Sequence, residues 1–304
     1  MPTDPGLEVD HSGCDRLYPE DPRPDLREVT GRPLPSAEQT VKTYFDRDAA
    51  PYQAAYERTG EARGEIFRER RRLLLERLKQ PPGRVLDIGA GPAVFTEALL
   101  ALGAECWTMD LSREMIRLGR QSLAGHPAAA RAHHGVGEIG RLPFSDSVFD
   151  AILCSGVLQY LPDIQPAIRE MARTLRPGGQ ILLTFPNNRA PLNSLHRAAV
   201  QSVRIAAALG AGLGLLRRPD EQRLSFRADI PNRFFSAASV TRLAREAGLA
   251  PQGPPQFHCH HFPFQIPALS PLTRAWDRIA NLSLPNGPLR GWGREGILEL
   301  TKPG

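Results

Sequence analysis

Cysteine is scarce in this sequence, and its spacing excludes two kinds of framework. The 304 residues contain four cysteines, and no two of them form a Cys-x-x-Cys pair. Small disulfide scaffolds and cysteine zinc sites both need closely paired, regularly spaced cysteines. We therefore expect neither, and the fold must depend on a core of apolar side chains, which make up 41% of the chain.

The N-terminus has no run of apolar residues, so it lacks the pattern of a secretory signal. It begins Met-Pro-Thr-Asp-Pro and continues with proline and charged residues at no regular apolar spacing. The missing signal predicts a cytoplasmic location. The composition predicts a disordered leader over residues 1–35, followed by a folded domain over residues 36–304.

The formal net charge of +5 is not accompanied by an RNA-reading signature, since no basic strand carries interleaved aromatic residues. The densest basic cluster, residues 68–72, leads into three leucines and is typical of the solvated face of a helix. An anionic acceptor, a membrane surface or a nucleic acid as its ligand is the alternative. On balance we expect no nucleic-acid partner.

The middle of the chain alternates short apolar segments with amphipathic ones. Strands are predicted at residues 84–88, 105–109, 131–136, 150–155, 180–185, 256–262 and 296–301, and helices at 64–78, 94–102, 112–123, 164–175 and 236–247, with a further helix beginning near Ser36. Strands that alternate with helices of this length predict an α/β domain whose parallel sheet is connected by right-handed crossovers.

Two long insertions interrupt this alternation, one after residue 185 and one before residue 296. In an open α/β sheet, ligands bind beyond the carboxyl ends of the strands, and both insertions are expected to leave the sheet at that edge and form a lid. The first contains an apolar stretch over residues 195–216, which Gln201 and Arg204 interrupt, so a transmembrane helix is not expected. A packed cap helix is the simplest interpretation. A lipophilic acceptor pocket or a peripheral membrane contact is the alternative.

The strongest local motif is the segment Val-Leu-Asp-Ile-Gly-Ala-Gly at residues 85–91. A strand that runs into a glycine turn and then a helix is typical of a nucleotide-binding corner. Val94 stands where a dinucleotide fingerprint has its third glycine, and no Gly-Lys-Ser/Thr follows, which excludes a phosphate-gripping loop. Asp87 would repel a pyrophosphate, but its carboxylate suits the ammonium group of a cofactor that carries an amino acid.

A second acid, Asp110, ends the second predicted strand. A carboxylate at this position accepts hydrogen bonds from both hydroxyl groups of a ribose. Asp87 and Asp110 lie at the ends of consecutive strands, so the pair indicates one ligand with an amino-acid part and a ribose part.

With these two acids and the motifs that follow them, the chain resembles the class I S-adenosylmethionine-dependent methyltransferases of small-molecule type, which include the ubiquinone and menaquinone biosynthesis methyltransferases. The resemblance covers about residues 41–185 and resumes at the final helix and strand. It is carried, in order, by the sequences VLDIGAG at 85–91, DLSREM at 110–115, GEIGRLPFSDSVFD at 137–150, VLQYLPD at 157–163 and LRPGGQILL at 175–183.

The resemblance implies a fold and a function. The fold is a Rossmann-like doubly wound sheet, mostly parallel with an antiparallel last strand, and with helical lid insertions at about residues 188–234 and 263–294. The function is transfer of a methyl group from S-adenosyl-L-methionine to an oxygen, carbon or nitrogen atom of a small or lipophilic acceptor molecule. A non-catalytic, cofactor-binding regulatory or scaffold protein is the alternative. A nucleic-acid methyltransferase is disfavoured, because residues 154–157 read Cys-Ser-Gly-Val rather than Asn/Asp-Pro-Pro-aromatic.

The resemblance also implies which residues contact the cofactor. The methionine end is assigned to the glycine loop and the end of the fourth strand, the ribose to the second acid, the adenine to residues around it, and a cover to the aromatic N-terminal segment. The assigned residues are Asp87, Gly89, Gly91, Asp110, Leu111, Met115, Glu138, Ile139, Ser155 and Tyr52. Glu138 stands where the family usually has Asp, and Ala93 where many members have a further glycine.

The expected catalytic residues are Tyr160, His258 and His260. Tyr160 follows the fourth strand, near the expected point of methyl transfer. His258 and His260 belong to the cluster His-Cys-His-His at residues 258–261, where strand alternation puts these two on one face. A role in acid–base chemistry or acceptor contact for one of them, or a purely structural role, are both open. We expect no metal, because no matching carboxylate motif accompanies the cluster.

Overall fold

The computed structural model describes residues 37–57, 62–194, 230–258 and 290–304. The helices are α1 (Ala37–Glu57), α2 (Ala62–Leu75), α3 (Val94–Ala101), α4 (Arg113–Leu123), α5 (Gln165–Thr174) and α6 (Ala237–Glu246). The strands are β1 (Arg84–Ile88), β2 (Glu105–Asp110), β3 (Ala132–Val136), β4 (Phe149–Cys154), β5 (Leu175–Pro186), β6 (Ala250–Pro251), β7 (Gln256–His258) and β8 (Glu295–Thr301).

Within the described ranges, eight strands form one sheet in the order β3-β2-β1-β4-β5-β8-β6, and β7 also pairs with β8. Strands β1 to β5 pair in parallel. β8 is antiparallel to β5, so that its first residue, Glu295, pairs with the last residue of β5, Pro186. This confirms the predicted Rossmann-like sheet, mostly parallel with an antiparallel last strand.

The central strands form because they consist of apolar residues that the sheet buries on both faces. Leu86, Ile152, Leu153, Leu182 and Leu183 are all fully buried. A parallel sheet covered by helices needs such continuous apolar strands, and each buried side chain of this size contributes about 1.5–3 kcal/mol. The sheet is therefore a rigid frame that holds the carboxyl ends of β1, β2 and β4 side by side.

Both predicted insertions leave the sheet at the same edge, as expected. The chain passes from β5 at Pro186 and from β7 at His258, and both residues pair with Glu295. The side-chain amide of Asn187 donates to the carbonyls of Gly291 (2.9 Å) and Gly293 (2.8 Å). We call this meeting point of residues 186–194 and 291–295 the junction. The helical content predicted for the two lids falls mostly on residues 195–229 and 259–289, outside the described ranges.

Several predicted boundaries moved. α2 begins two residues earlier than expected and ends three residues earlier. β5 begins at Leu175, which was assigned to a helix, because its pairing with β4 shifts register and accommodates the Pro-Gly-Gly sequence at 177–179. Ser112 and Ser236, at which two of the predicted helices begin, cap those helices in the structure, since each side chain accepts a backbone hydrogen bond from its helix. The short strand β6 was not predicted.

The prediction that residues 68–72 form the solvated face of a helix was wrong for Arg70. Arg72 is exposed and pairs with Glu76 one turn away, at 2.7 Å. Arg70 is buried instead, with Nε 2.7 Å from Oε2 of Glu295. The partner lies 225 residues away in sequence, so the local charge pattern could not reveal it.

None of the helices among the described residues is long and apolar enough to cross a bilayer. The predicted cytoplasmic location stays a prediction. The predicted leader, residues 1–35, and the apolar stretch for which membrane contact was considered, residues 195–216, both lie outside the described ranges.

Candidate cofactor site

A cavity opens at the carboxyl ends of β1, β2 and β4 and is closed on one side by α1. Its open space, including the solvent-filled mouth, is about 820 Å³. Its wall contains Tyr160 and every residue expected to contact the cofactor except Asp87; these are Tyr52, Gly89, Gly91, Asp110, Leu111, Met115, Glu138, Ile139 and Ser155. The structure thus brings together in one place residues that the sequence spreads over more than a hundred positions.

The glycine loop follows β1 and bends back against β2. Gly89 has φ +64° and Gly91 has φ +55°, a region that side chains disfavour. The backbone N–H groups of Gly89 and Ala90 donate to the carbonyl of Met109, at 2.7 and 3.1 Å. A Cβ on Gly89 would lie 2.2 Å from Cγ2 of Val157. The loop therefore needs glycine both for its backbone angles and for its close packing.

Ala93 adopts the same backbone region without being glycine. It precedes α3 with φ +62° and ψ +30°. The resemblance suggested that alanine is tolerated here, and the structure shows the conformation it must adopt. A non-glycine residue in this left-handed region is disfavoured by about 1–2 kcal/mol, so the loop stores strain next to the cavity.

Asp110 connects two walls of the cavity. Its Oδ2 accepts from the backbone N–H of Gly91 at 2.9 Å, and its Oδ1 accepts from the backbone N–H of Ser112 at 2.8 Å. Burial raises the pKa of Asp110 to about 6, even though these hydrogen bonds act in the opposite direction. A carboxylate offers about four acceptor positions, so two positions are left for a ligand.

Asp87 lies behind the loop rather than on the cavity wall. It is 1% exposed, and its Oδ2 accepts from the hydroxyl of Thr96 at 2.9 Å. Burial raises the pKa of this carboxyl to about 7; the Thr96 hydrogen bond lowers it and the nearby Asp110 raises it further. The expected contact between Asp87 and an ammonium group stays a prediction.

Helix α1 covers the cavity with aromatic side chains. Phe45 packs edge-to-face against Tyr52 (5.9 Å between ring centroids) and against Tyr160 (5.2 Å). Tyr52 lies in the wall, where the N-terminal aromatic segment was expected. Phe45 was part of the same motif but was not singled out, and the structure shows that it joins Tyr52 to Tyr160.

Glu38, at the start of α1, also lines the cavity and was missed. Burial raises the pKa of Glu138, and the negative charge of Glu38 raises it further. The two carboxyl groups are therefore close enough to interact. The sequence offered no signal for this pair, because the two residues are distant in the chain and Glu38 has the ordinary pattern of a helix start.

The wall beyond β4 is formed by Ser155 and Gly156. Oγ of Ser155 is buried and has no hydrogen-bond partner in the described part of the chain. Gly156 has φ +72°, and its backbone N–H donates to Oγ1 of Thr184 at 2.9 Å. Since buried polar atoms are nearly always paired, Ser155 is the wall residue that most needs a ligand.

The histidine cluster is not brought to the cavity. His258 is 2% exposed and is not part of the wall. Its Nε2 lies 3.1 Å from Oε2 of Glu295, off the hydrogen-bonding direction, and neither ring nitrogen has a hydrogen-bond partner among the described residues. The sheet pairing of β7 places His258 opposite Glu295 rather than at the cavity, and its expected catalytic role stays a prediction. His260 lies outside the described ranges.

Residues 86–183 match the family model described as "Methyltransferase domain". The match begins in β1, ends in β5 and contains the glycine loop, Asp110 and Glu138. Over these residues the chain is therefore similar to a methyltransferase domain, and they include strands of the Rossmann-like sheet on which the cavity opens.

Among curated proteins, the chain resembles the demethylmenaquinone methyltransferases. It is 43% identical over 103 residues to that of Mycolicibacterium paratuberculosis (strain ATCC BAA-968 / K-10), which covers 34% of this chain and 41% of the relative. It is 38% identical over 138 residues to that of Mycobacterium tuberculosis (strain ATCC 25618 / H37Rv), which covers 45% of this chain and 55% of the relative. The chain thus spans about half the length of the curated relatives it matches.

Two solved structures share the fold. One is a SAM-dependent methyltransferase of Thermotoga maritima (TM-score 0.55, 17% identity, 86% of this chain and 99% of that chain). The other is the [4+2]-cyclase SpnF (TM-score 0.57, 18% identity, 90% of this chain and 99% of that chain). At these identities the likeness shows the fold alone, and the second neighbour shows that the fold also serves a different reaction.

Proposed function

We propose that this protein transfers a methyl group from S-adenosylmethionine to a small, lipophilic molecule, at an oxygen, carbon or nitrogen atom. The observation that carries the proposal is the meeting of the glycine loop, Asp110, Glu138 and Ser155 around one cavity. The similarity to demethylmenaquinone methyltransferases supports a lipophilic acceptor. The open cavity favours an enzyme over a scaffold protein, for which a collapsed pocket was expected.

The residues present fit the cofactor. The two remaining acceptor positions of Asp110 suit the ribose hydroxyls, and Glu138 suits the amino group of adenine. The unpaired Oγ of Ser155 and the carboxyl of Asp87 suit the ammonium group of the methionine end. When bound, the cofactor supplies a methyl group already activated by its sulfonium charge, so the protein has to bind, align and exclude water. The rigid sheet edge and the aromatic cover of α1 serve these tasks.

The acceptor is proposed to approach beside Tyr160, which lies in the wall near Ser155. The insertions, which leave the sheet at the same edge, are proposed to select the acceptor.

Isothermal titration with S-adenosylmethionine tests the cofactor part of this proposal. We expect binding by the parent protein, and a loss of at least about tenfold in Asp110→Asn, because hydrogen bonds to a charged group contribute about 1.5–3 kcal/mol each. Asp163→Asn, an exposed acid, is the matched control. No binding by the parent, or equal binding by Asp110→Asn, would contradict the proposal.

The acceptor part is tested by incubating the protein with methyl-labelled cofactor and a panel of lipophilic hydroxylated aromatic compounds. We expect label in the organic phase and a product 14 mass units heavier (about one CH₂, the group that methylation adds). Asp110→Asn and protein without acceptor are the controls. Cofactor binding without label transfer to any lipophilic compound would leave the domain assignment standing and overturn the acceptor class.

A further inference from the structure

Arg70 is a buried charge beside the cofactor cavity. Its side chain is 12% exposed, whereas that of its neighbour Arg71 is 34% exposed. Burying a guanidinium group is unfavourable unless it is paired. The unfavourable burial of this guanidinium would be offset if it also bound a negatively charged ligand at this position.

The pairing of Arg70 is incomplete. Its Nε donates to Oε2 of Glu295 at 2.7 Å, and within the described ranges this is the hydrogen bond that the guanidinium makes. A guanidinium has five N–H donors in a planar fork. Burial would lower the pKa of Arg70, but the charge of Glu295 raises it, so the group stays a cation. Glu295 thus holds the Nε edge of the fork, and the Nη edge makes no hydrogen bond to the residues that the structure describes.

The available edge lies directly behind the cavity wall. Nη1 of Arg70 is 2.9 Å from the point where a Cβ on Gly156 would stand. Gly156 belongs to the wall next to Ser155. Because Gly156 has no side chain, no side-chain atom of this residue lies between the guanidinium and the cavity. Tyr52, another wall residue, is also near enough for Arg70 to interact with it electrostatically.

The cavity wall itself lacks a positive charge. None of the described residues that line it is Lys, Arg or His, and three of them, Glu38, Asp110 and Glu138, carry carboxyl groups. The methionine end of S-adenosylmethionine carries a carboxylate as well as an ammonium group. Beside so many acids, that carboxylate would be stabilised by a cation, and the guanidinium of Arg70 lies against the wall at Gly156.

We infer that Arg70 binds the carboxylate of the cofactor's methionine end through its Nη edge, across Gly156, while Glu295 holds the guanidinium in place. The inference rests on the proposed function, because that proposal puts the methionine end beside Ser155. It makes Arg70 a cofactor-binding residue and Glu295 a positioning residue. The ion pair between Arg70 of α2 and Glu295 of β8 would then serve cofactor binding as well as stability.

The test compares ligands that differ only in this carboxylate. Titrations use S-adenosylmethionine and its decarboxylated form, with parent, Arg70→Gln and Arg70→Lys proteins. Arg71→Gln, in the same helix but exposed, is the matched control. We expect the parent to prefer S-adenosylmethionine by about 10- to 100-fold, as for a charge-assisted pair. Arg70→Gln should lose this preference by weakening S-adenosylmethionine alone, and Arg70→Lys should keep part of it.

The two proposals fail in different ways. If the parent binds neither ligand, the proposed function fails. If the parent binds both ligands equally, or if Arg70→Gln weakens both to the same extent, the inference about Arg70 fails and the proposed function stands. Circular dichroism and thermal unfolding establish that each variant is folded. Should Arg70→Gln not fold, Arg70→Lys decides the matter: a smaller preference for S-adenosylmethionine than in the parent supports the inference, and an unchanged preference overturns it.

Discussion

Asp46 on α1 caps the first turn of α4 through Ser112. Its Oδ1 accepts from the hydroxyl of Ser112 at 2.6 Å and from the backbone N–H of Glu114 at 3.3 Å. The Ser112 hydroxyl in turn accepts from the backbone N–H of Met115. These hydrogen bonds connect α1, whose aromatic side chains cover the cavity, to α4, which begins just after Asp110, the acid proposed to bind the ribose.

The first prediction concerns these hydrogen bonds between α1 and α4. Asp46→Ala is expected to lower the free energy of unfolding by about 0.5–2 kcal/mol, the usual effect of removing a helix cap, and to weaken cofactor binding by loosening α1. Denaturant unfolding and hydrogen exchange of α1 measure the two effects. Asp48→Ala is the control, because Asp48 accepts from Tyr44 within α1. Equal effects of both substitutions would contradict the role given to Asp46.

The second prediction concerns Gly89. Gly89→Ala is expected to destabilise by about 1–2 kcal/mol for the positive φ and by about 1–3 kcal/mol more for the clash with Val157. Gly103→Ala is the control for the first contribution, since Gly103 has φ +93° and no atom lies within 4 Å of its Cβ position. Denaturant unfolding of both variants measures the difference. Val157→Ala added to Gly89→Ala should recover part of the loss; no recovery would contradict the packing argument.

The third prediction concerns pH. Burial raises the pKa of Asp87 from an ordinary 3.8 to about 7. Between pH 4 and pH 7 the folded state therefore keeps a proton that the unfolded state has lost, so this group makes the protein less stable as pH rises through that window. Asp87→Asn should remove the effect. The stability of the Asp87→Asn variant relative to the parent should increase from pH 4 to pH 7 and stay constant above pH 7. Denaturant unfolding at a series of pH values measures this difference.

Thr96 supplies the control for the pH prediction. Its hydroxyl donates to Asp87 and lowers the pKa of that carboxyl. Thr96→Val removes this hydrogen bond with little change in volume, so the pKa of Asp87 should rise. The loss of stability with increasing pH should then continue to higher pH than in the parent. A pH profile of Asp87→Asn parallel to that of the parent would show that another group is responsible.

The fourth prediction contrasts two ion pairs of α2. Removing one partner of a buried pair leaves an unpaired buried charge and is destabilising by about 3–5 kcal/mol, which we expect for Glu295→Gln. Glu76→Gln breaks the exposed pair with Arg72 and should change stability by at most about 1 kcal/mol. Denaturant unfolding compares the two. The double variant Arg70→Gln with Glu295→Gln should be less destabilised than the sum of its single variants.

Features that depend on neighbours in sequence could be predicted. The glycine loop, the acid at the end of β2 and the cap at Ser112 are each contained in a few consecutive residues, and the alternation of apolar and amphipathic segments determines the parallel sheet. The family resemblance then assigned roles along these motifs, and nearly all the assigned residues do meet at one cavity.

Features that depend on tertiary contact could not be predicted. Arg70 looked like its exposed neighbours, because its partner Glu295 lies at the other end of the chain. Glu38 approaches Glu138 only once α1 folds over the sheet edge. His258 looked like a catalytic candidate from its cluster, but β-pairing buries it against Glu295. In each case, the deciding interaction joins residues that no local pattern connects.

The junction of residues 186–194 with 291–295 has a consequence for how the protein can change. Asn193 donates to the carbonyls of Asn187 and Arg294, and the Arg294 side chain donates back to Asn193, so the residues that lead into the first long segment are hydrogen-bonded to those that follow the second. The glycine loop and the ribose acid belong to other strands. If the two segments select the acceptor, as proposed, replacing them together at this junction should change the acceptor while leaving the glycine loop and Asp110 unaltered, in natural variation and in protein engineering alike.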